Sequence, residues 1–339
     1  MRIPYARGRA TARRGLIPTL LGYLAGKRAA AEEFAGAVGV EKGRRRDGGV
    51  VVIMGATGTG KSKLSIDVGT RIPAEVVNAD KIQVYRGLDI TTNKISIDDR
   101  RGVPHHLLGE LDPAGGELSP AGFRSLARMA VERISSRGLI PVVAGGSNSY
   151  IHAMMVDRYD ERENPFAGAP AARHRFRHPS CFLWVDVEAA VLAEHLDRRV
   201  DDMLGMGMVE ELEMYFSGDG SAAVDRHPGL GKAIGVPEFR EYFRRRTPAA
   251  YEDAVTAIKE NTRRLAEEQV RKIERLAELG WPILRVDATT AVMARLAGAG
   301  RPAEAEAWER DVLGPSLRAV ERFLHEHQAQ HRQLPPHNK

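Results

Sequence analysis

The chain has 339 residues, 43% of them hydrophobic, enough to bury a core in one large domain or two modest ones. Charged residues make up 28% with both signs mixed, which excludes a largely disordered chain, and the net charge of +5 suits a polyanionic ligand while arguing only weakly for nucleic acid. The single cysteine, Cys181, excludes a disulfide framework and a zinc knuckle, and no apolar run approaches the ~20 residues of a membrane-crossing helix.

Met1–Ala31 contains no Asp or Glu and carries Arg2, Arg7, Arg9, Arg13, Arg14, Lys27 and Arg28. A basic, acid-free start is the mark of an organelle transit peptide. The lack of serine before Ser62 departs from that composition and keeps a basic disordered tail as the alternative. Gly48–Met54 reads as a buried strand, Gly55–Gly60 as a tight turn, Lys61–Arg71 as a helix and Ala74–Val77 as a second strand. Pro120–Ser136 has helical spacing, Leu139–Ala144 is a third strand, and Ser147–Met155 is a helix. Tyr159–Ser180 is polar, basic and rich in Pro and Gly, and so reads as a loop. Cys181–Val187 is a further strand, and Val191–Phe216 is helical with a break at Gly205 and Gly207. Ala249–Leu279 is a long helix stopped by Gly280 and Pro282, Ile283–Asp287 a last strand, and Pro302–His325 a helix.

Apolar strands alternating with helices predict an α/β fold with a parallel sheet covered on both faces. The expected organisation is a leader over 1–47, a P-loop α/β core over 48–190 and a helix-rich lobe over 191–280. The last strand and C-terminal helix of the core follow over 281–327, and a disordered tail over 328–339.

Gly55-Ala56-Thr57-Gly58-Thr59-Gly60-Lys61-Ser62 fits the G-x-x-x-x-G-K-[ST] pattern, with a strand before it and a helix after it. Glycines turn the backbone so that its N–H groups face inward, the helix N-terminus adds positive potential, and Lys61 adds a point charge. The Ser62 hydroxyl is placed to hold Mg²⁺. The pattern predicts a grip on a diphosphate and does not say what the diphosphate belongs to. A nucleotide kinase or ATPase would need a Walker-B Asp, and the third strand ends in Gly145-Gly146-Ser147 instead. Asp186 also ends a strand, which proves little. Asp80, just past the second strand, falls at the carboxyl edge of the sheet where ligands gather. There it is either a proton acceptor or a helix cap or turn residue.

Asp80-Lys81-Ile82-Gln83-Val84-Tyr85-Arg86-Gly87-Leu88-Asp89, Thr92-Asn93-Lys94, Gly102-Val103-Pro104-His105-His106 and Ala144-Gly145-Gly146-Ser147-Asn148-Ser149-Tyr150 resemble the isopentenyltransferases that modify adenine. The likeness is to the plant-type adenylate isopentenyltransferases of cytokinin synthesis, and it spans about Val50 to Asp287. The resemblance implies a P-loop that holds dimethylallyl diphosphate and an adenine nucleotide as acceptor, with Mg²⁺ as cofactor. Asp80 matches the family's general base and Thr57 a threonine at the breaking bond. Thr92 matches a hydroxyl near the adenine or the base. Lys232 and Lys259 match contacts to the nucleotide's phosphates, although His227-Pro228-Gly229 before Lys232 departs from the more basic family pattern. A tRNA adenine as acceptor is the nearest alternative, and a plastid the expected location, with mitochondrion or cytoplasm as alternatives.

His105 and His106 are adjacent, point in different directions and read as loop residues rather than a metal pair. Asn261 or Thr262 and Gln269 share the apolar stripe of the long helix. They must either bond nearby backbone or face a substrate cavity. The basic run Arg173–His178 reads as solvated, with Arg177 the member to watch.

Overall fold

A computed structural model describes residues 49–168, 175–217 and 227–333. The expected leader, Arg173 and His174 of the basic run, and the last residues of the expected tail lie outside the described residues. The elements follow in chain order: β1 Val50–Met54, α1 Lys61–Arg71, β2 Ala74–Asn78, β3 His105–His106, α2 Pro120–Ser136, β4 Ile140–Ala144, α3 Asn148–Met155 and β5 Ser180–Asp186. Then come α4 Ala189–Gly205, α5 Met208–Ser217, α6 Val236–Arg245, α7 Pro248–Glu278, β6 Ile283–Asp287, α8 Thr289–Leu296, α9 Arg301–Trp308, a π-helical turn Glu309–Leu313, and α10 Gly314–Gln333.

The six strands form one sheet in the order β3-β2-β4-β1-β5-β6, every neighbouring pair parallel. Side chains of β1 alternate between two cores, as a period of two requires. Val50, Val52 and Met54 pack with Phe123, Ile134 and Tyr150 from α2 and α3, while Val51 and Ile53 pack with Leu64, Ile66 and Val68 of α1 and with Val320 and Leu324 of α10. Both faces are therefore covered, and this explains why the central strands read as unbroken apolar runs. The α7 helix belongs to both neighbourhoods: Ile273 and Leu276 join Trp281 in the first core, and Ala266 joins the second.

Three expectations are corrected. His105-His106 is not loop but the edge strand β3, paired with Val76-Val77. Its two-residue length is too short for periodicity to reveal. His106 Nε2 bonds the buried Glu75 at 2.7 Å, and His105 Nδ1 bonds Val103 O at 2.8 Å. The C-terminal helix is not continuous over 302–325; it passes through the π-helical turn, and α10 runs on to Gln333, past the expected start of a disordered tail. Helices α6 and α8 are short and carried no expectation. Among the described residues no helix is long and apolar enough to cross a membrane.

Candidate active site

Residues 55–62 join β1 to α1 at the carboxyl end of the sheet. Gly58 and Gly60 hold φ of 83° and 97°, left-handed values at which a side chain would be strained. Two donors converge on one loop carbonyl: Thr59 Oγ1 reaches Ala56 O at 3.0 Å and Lys61 Nζ reaches it at 2.6 Å. The Lys61 ammonium therefore lies along the loop. Burial pushes its pKa down to about 8, with Asp80 opposing that shift and Arg199 adding to it. Lys61, Asp80 and Arg199 thus share one electrostatic neighbourhood, although they come from three different segments.

Arg199 had no sequence-based role. It projects from α4, where Nη1 donates to Thr57 Oγ1 at 3.1 Å and Nη2 lies 2.7 Å from the Asn93 side-chain amide, whose oxygen accepts once the amide is turned toward the guanidinium. Burial works against its charge and Asp80 favours it. The sequence did carry a signal: Leu192, Leu196, Val200 and Met203 form the buried stripe of α4, and Arg199 falls on it. A guanidinium on an apolar stripe needs an anion, and here Asp80 is the carboxylate that favours its charge.

Asp80 takes the turn role open to it. Oδ1 accepts from Ile82 N at 2.9 Å and Gln83 N at 3.2 Å, so the carboxylate caps the turn that follows it. The same geometry fixes its direction. The Gly145-Gly146-Ser147 turn braces this segment from β4: Ser147 N donates to Ala79 O at 3.2 Å, and Ser147 Oγ accepts from Lys81 N at 2.8 Å. A Cβ on Gly145 would lie 2.2 Å from Ala79 O, and one on Gly146 would lie 2.3 Å from Gln269 Nε2. The glycines stand where a Walker-B Asp was sought because backbone and a side chain pass directly over them.

Gln269 links α7 to the cradle. Its Oε1 accepts from Thr57 N at 2.7 Å and its backbone carbonyl accepts from Asn148 Nδ2 at 3.0 Å. The polar residues on the α7 stripe thus divide: Asn261 bonds Glu238 at 2.7 Å, and Gln269 bonds backbone, which is the P-loop itself. Substituting Gln269→Leu should lower stability by about 1–3 kcal/mol, because it strands a partly buried N–H. Added Mg²⁺-pyrophosphate should raise the melting temperature of this variant more than that of the wild type, since the anion offers Thr57 N–H a new acceptor. Equal shifts in differential scanning fluorimetry would contradict this role for the amide.

The other expected residues are placed as follows. Thr92 Oγ1 donates to Leu88 O at 2.7 Å and accepts from Lys94 Nζ at 3.0 Å. Its loop is gripped by Glu211, which accepts from Ile90 N, Thr91 N and Thr91 Oγ1. Lys259 pairs with Asp201 at 2.6 Å, next to Arg263–Asp197 in an α4–α7 ladder. Lys232 pairs with Glu117. Asp186 is bound by Arg285 Nε at 2.8 Å and so is engaged structurally. Arg177 donates its backbone N–H to Met155 O at 2.8 Å. Among the described residues no cluster of three or more His, Cys, Asp or Glu could hold a metal. The protein donor on hand is the exposed Ser62 hydroxyl. So sparse a supply of hard oxygen fits Mg²⁺, which keeps its waters and takes its other ligands from substrate phosphates.

A family model described as IPP transferase matches residues 83–178 and 158–275. The chain is 50% identical over 295 residues to an adenylate isopentenyltransferase of Humulus lupulus, covering 81% of this chain and 90% of that one. It is 48% identical over 297 residues to adenylate isopentenyltransferase 1, chloroplastic, of Arabidopsis thaliana, covering 84% of this chain and 83% of the relative. Among solved structures it resembles a eukaryotic dimethylallyltransferase acting on tRNA, with a TM-score of 0.62 and 26% identity over 71% of this chain and 74% of the other.

Proposed function

Because the chain belongs to the adenylate isopentenyltransferases of the IPP transferase family, we propose that it transfers a dimethylallyl group from dimethylallyl diphosphate to the N6 amine of an adenine nucleotide. The observation that carries the proposal is the meeting of Asp80 with the cations Lys61 and Arg199 at the carboxyl end of one sheet. The N6 lone pair attacks C1 of the allyl group. The C1–O bond breaks, and its electron pair leaves with pyrophosphate. Asp80 takes the proton from the nitrogen as the new bond forms, and the amine needs this because its lone pair is delocalised into the ring. P-loop amides, Lys61 and Arg199 stabilise the charge that grows on the bridging oxygen. The Thr57 hydroxyl, held by Arg199, would contact the oxygen at the breaking bond. Mg²⁺, held through Ser62 and the diphosphate, would supply further charge neutralisation. No covalent enzyme intermediate is needed.

On the acceptor side, Thr92 stays close to the Asp80 turn, because Gln83 Nε2 donates to Thr92 O at 2.9 Å. Lys232 is the lysine assigned to the acceptor's phosphates. Lys259 would have to leave Asp201 to join it. The named location of the Arabidopsis relative and the basic, acid-free start of the chain favour a plastid. The deciding experiment is mass analysis of products from dimethylallyl diphosphate offered separately with ATP, ADP, AMP and unmodified tRNA. Prenylated free nucleotides are expected. Product on tRNA alone would replace this reading with the tRNA one.

A further inference from the structure

Beside Asp80, one carboxylate holds two lysines. Glu117 Oε1 contacts Lys81 Nζ and Glu117 Oε2 contacts Lys232 Nζ. Lys81 follows Asp80 directly, and its backbone N–H is fixed by Ser147 Oγ. Lys232 comes from the turn 230–232 that precedes α6. Among the described residues neither ammonium has a second acceptor, and both side chains are more exposed than Glu117: 41% and 58% against 32%.

Glu117 is not a floating surface acid. Buried Tyr85 donates from its hydroxyl to Gly116 O at 3.0 Å and accepts from Leu118 N at 2.8 Å. Buried Tyr150 donates to Leu118 O at 2.6 Å. The backbone is therefore pinned on both sides of Glu117. The turn that carries Lys232 rests on the same tyrosine: a Cβ on Gly229 would lie 2.2 Å from Tyr85 Oη. A side chain at position 229 would therefore collide with Tyr85.

Exposed ion pairs contribute little to stability, roughly 0–1 kcal/mol each. A carboxylate anchored this firmly between two solvent-facing lysines is poorly explained as a stabilising device. It is well explained as an internal anion that a more highly charged ligand can replace, because the lysines stay accessible and the attraction to be overcome is small. Lys81 adjoins Asp80 in the chain and pairs with Glu117, which places the trio beside the Asp80 turn.

We propose that Glu117 is a resident counter-anion on the Lys81–Lys232 pair, displaced by the 5′-polyphosphate of the acceptor nucleotide, so that Lys81, Lys232 and Glu117 together set acceptor choice by phosphate charge. The inference rests on the acceptor being an adenine nucleotide. It adds Lys81 as a second phosphate-binding lysine and Glu117 as its competitor. Acceptors must outbid a single carboxylate, which favours ATP and ADP and gives adenosine no benefit.

The test compares wild type, Glu117→Gln and Lys81→Gln. ATP and adenosine dissociation constants are measured by calorimetry, with saturating Mg²⁺-pyrophosphate occupying the P-loop. Glu117→Gln should tighten ATP about two- to fivefold, the range one exposed ion pair spans, and Lys81→Gln should weaken it by a similar factor. Both effects should shrink between 50 mM and 500 mM salt, and adenosine binding should not change. An unchanged ATP constant in Glu117→Gln, or equal shifts for ATP and adenosine, would overturn the proposal. If the wild type forms prenylated ATP while either of those results holds, the reaction stands and the gate falls. If it binds no ATP at all, both fall.

Discussion

Asp80→Asn should lower turnover by about 10²–10⁴-fold, the usual contribution of a general base, while leaving the affinity for dimethylallyl diphosphate close to that of the wild type. Asn is the informative replacement because it separates the cap that Asp80 forms from the base we propose it to be. Its Oδ1 receives Ile82 N–H and Gln83 N–H, and an amide oxygen can keep both bonds. What Asn cannot do is take a proton from an amine. Asp80→Ala removes the cap as well, and should cost a further 0.5–2 kcal/mol of stability, roughly the worth of a lost capping side chain. Single-turnover rates with saturating donor, set beside melting temperatures for the two variants, separate the roles. A folded Asp80→Asn enzyme with near-normal single-turnover rate would remove Asp80 from the chemistry and leave it a turn residue.

The parts of the site that were legible in the sequence are those where local pattern and function coincide. The P-loop must sit between a strand and a helix, and its glycines and Lys61 are contiguous, so the octapeptide at 55–62 displays the whole cradle. The central strands β1, β4 and β5 were legible because burial on both faces makes them uniformly apolar. Arg199 was missed because its meaning is tertiary. Only the folding of α4 over the loop brings it to Thr57, 142 residues away in sequence. Gln269 was noticed as a polar residue on an apolar stripe, but its partner, Thr57 N, is 212 residues distant and has no sequence signature. Glu117 lies in a Pro-Gly-rich connection whose conformation depends on two tyrosine hydroxyls reaching it from elsewhere. Lys232 and Lys259 look alike as isolated lysines. Their settings differ, since one faces Glu117 in the open and the other is locked in a helix–helix ladder.

Removing the Lys61 charge should have the other large effect. Lys61→Met keeps the aliphatic stem along the loop and deletes the ammonium. It should cost about 10²–10³-fold in turnover, as the loss of one preorganised donor to a developing oxyanion does. The wild-type pH profile supplies a second signature with a definite sign. In the free protein Lys61 has a pKa of about 8, lowered from 10.5 mainly by burial. A bound diphosphate favours the charged form and raises that value. The donor therefore binds fully below pH 8, and its affinity falls as pH rises through the free-enzyme pKa, by as much as tenfold per pH unit until the bound-state pKa is reached. Accordingly kcat/KM for dimethylallyl diphosphate should bend downward above pH 8, while kcat at saturating donor bends only at higher pH. Folding stability should move the opposite way. Between pH 8 and 10.5 the unfolded chain binds more protons at this position than the native one, so the Lys61 penalty on the unliganded fold is relieved as pH increases. A protein that grows firmer while losing its donor over the same interval, with both trends absent in Lys61→Met, would identify one buried lysine as their common origin. A donor affinity that stays flat to pH 10 would show instead that the diphosphate is held by backbone amides and Arg199 without help from Lys61.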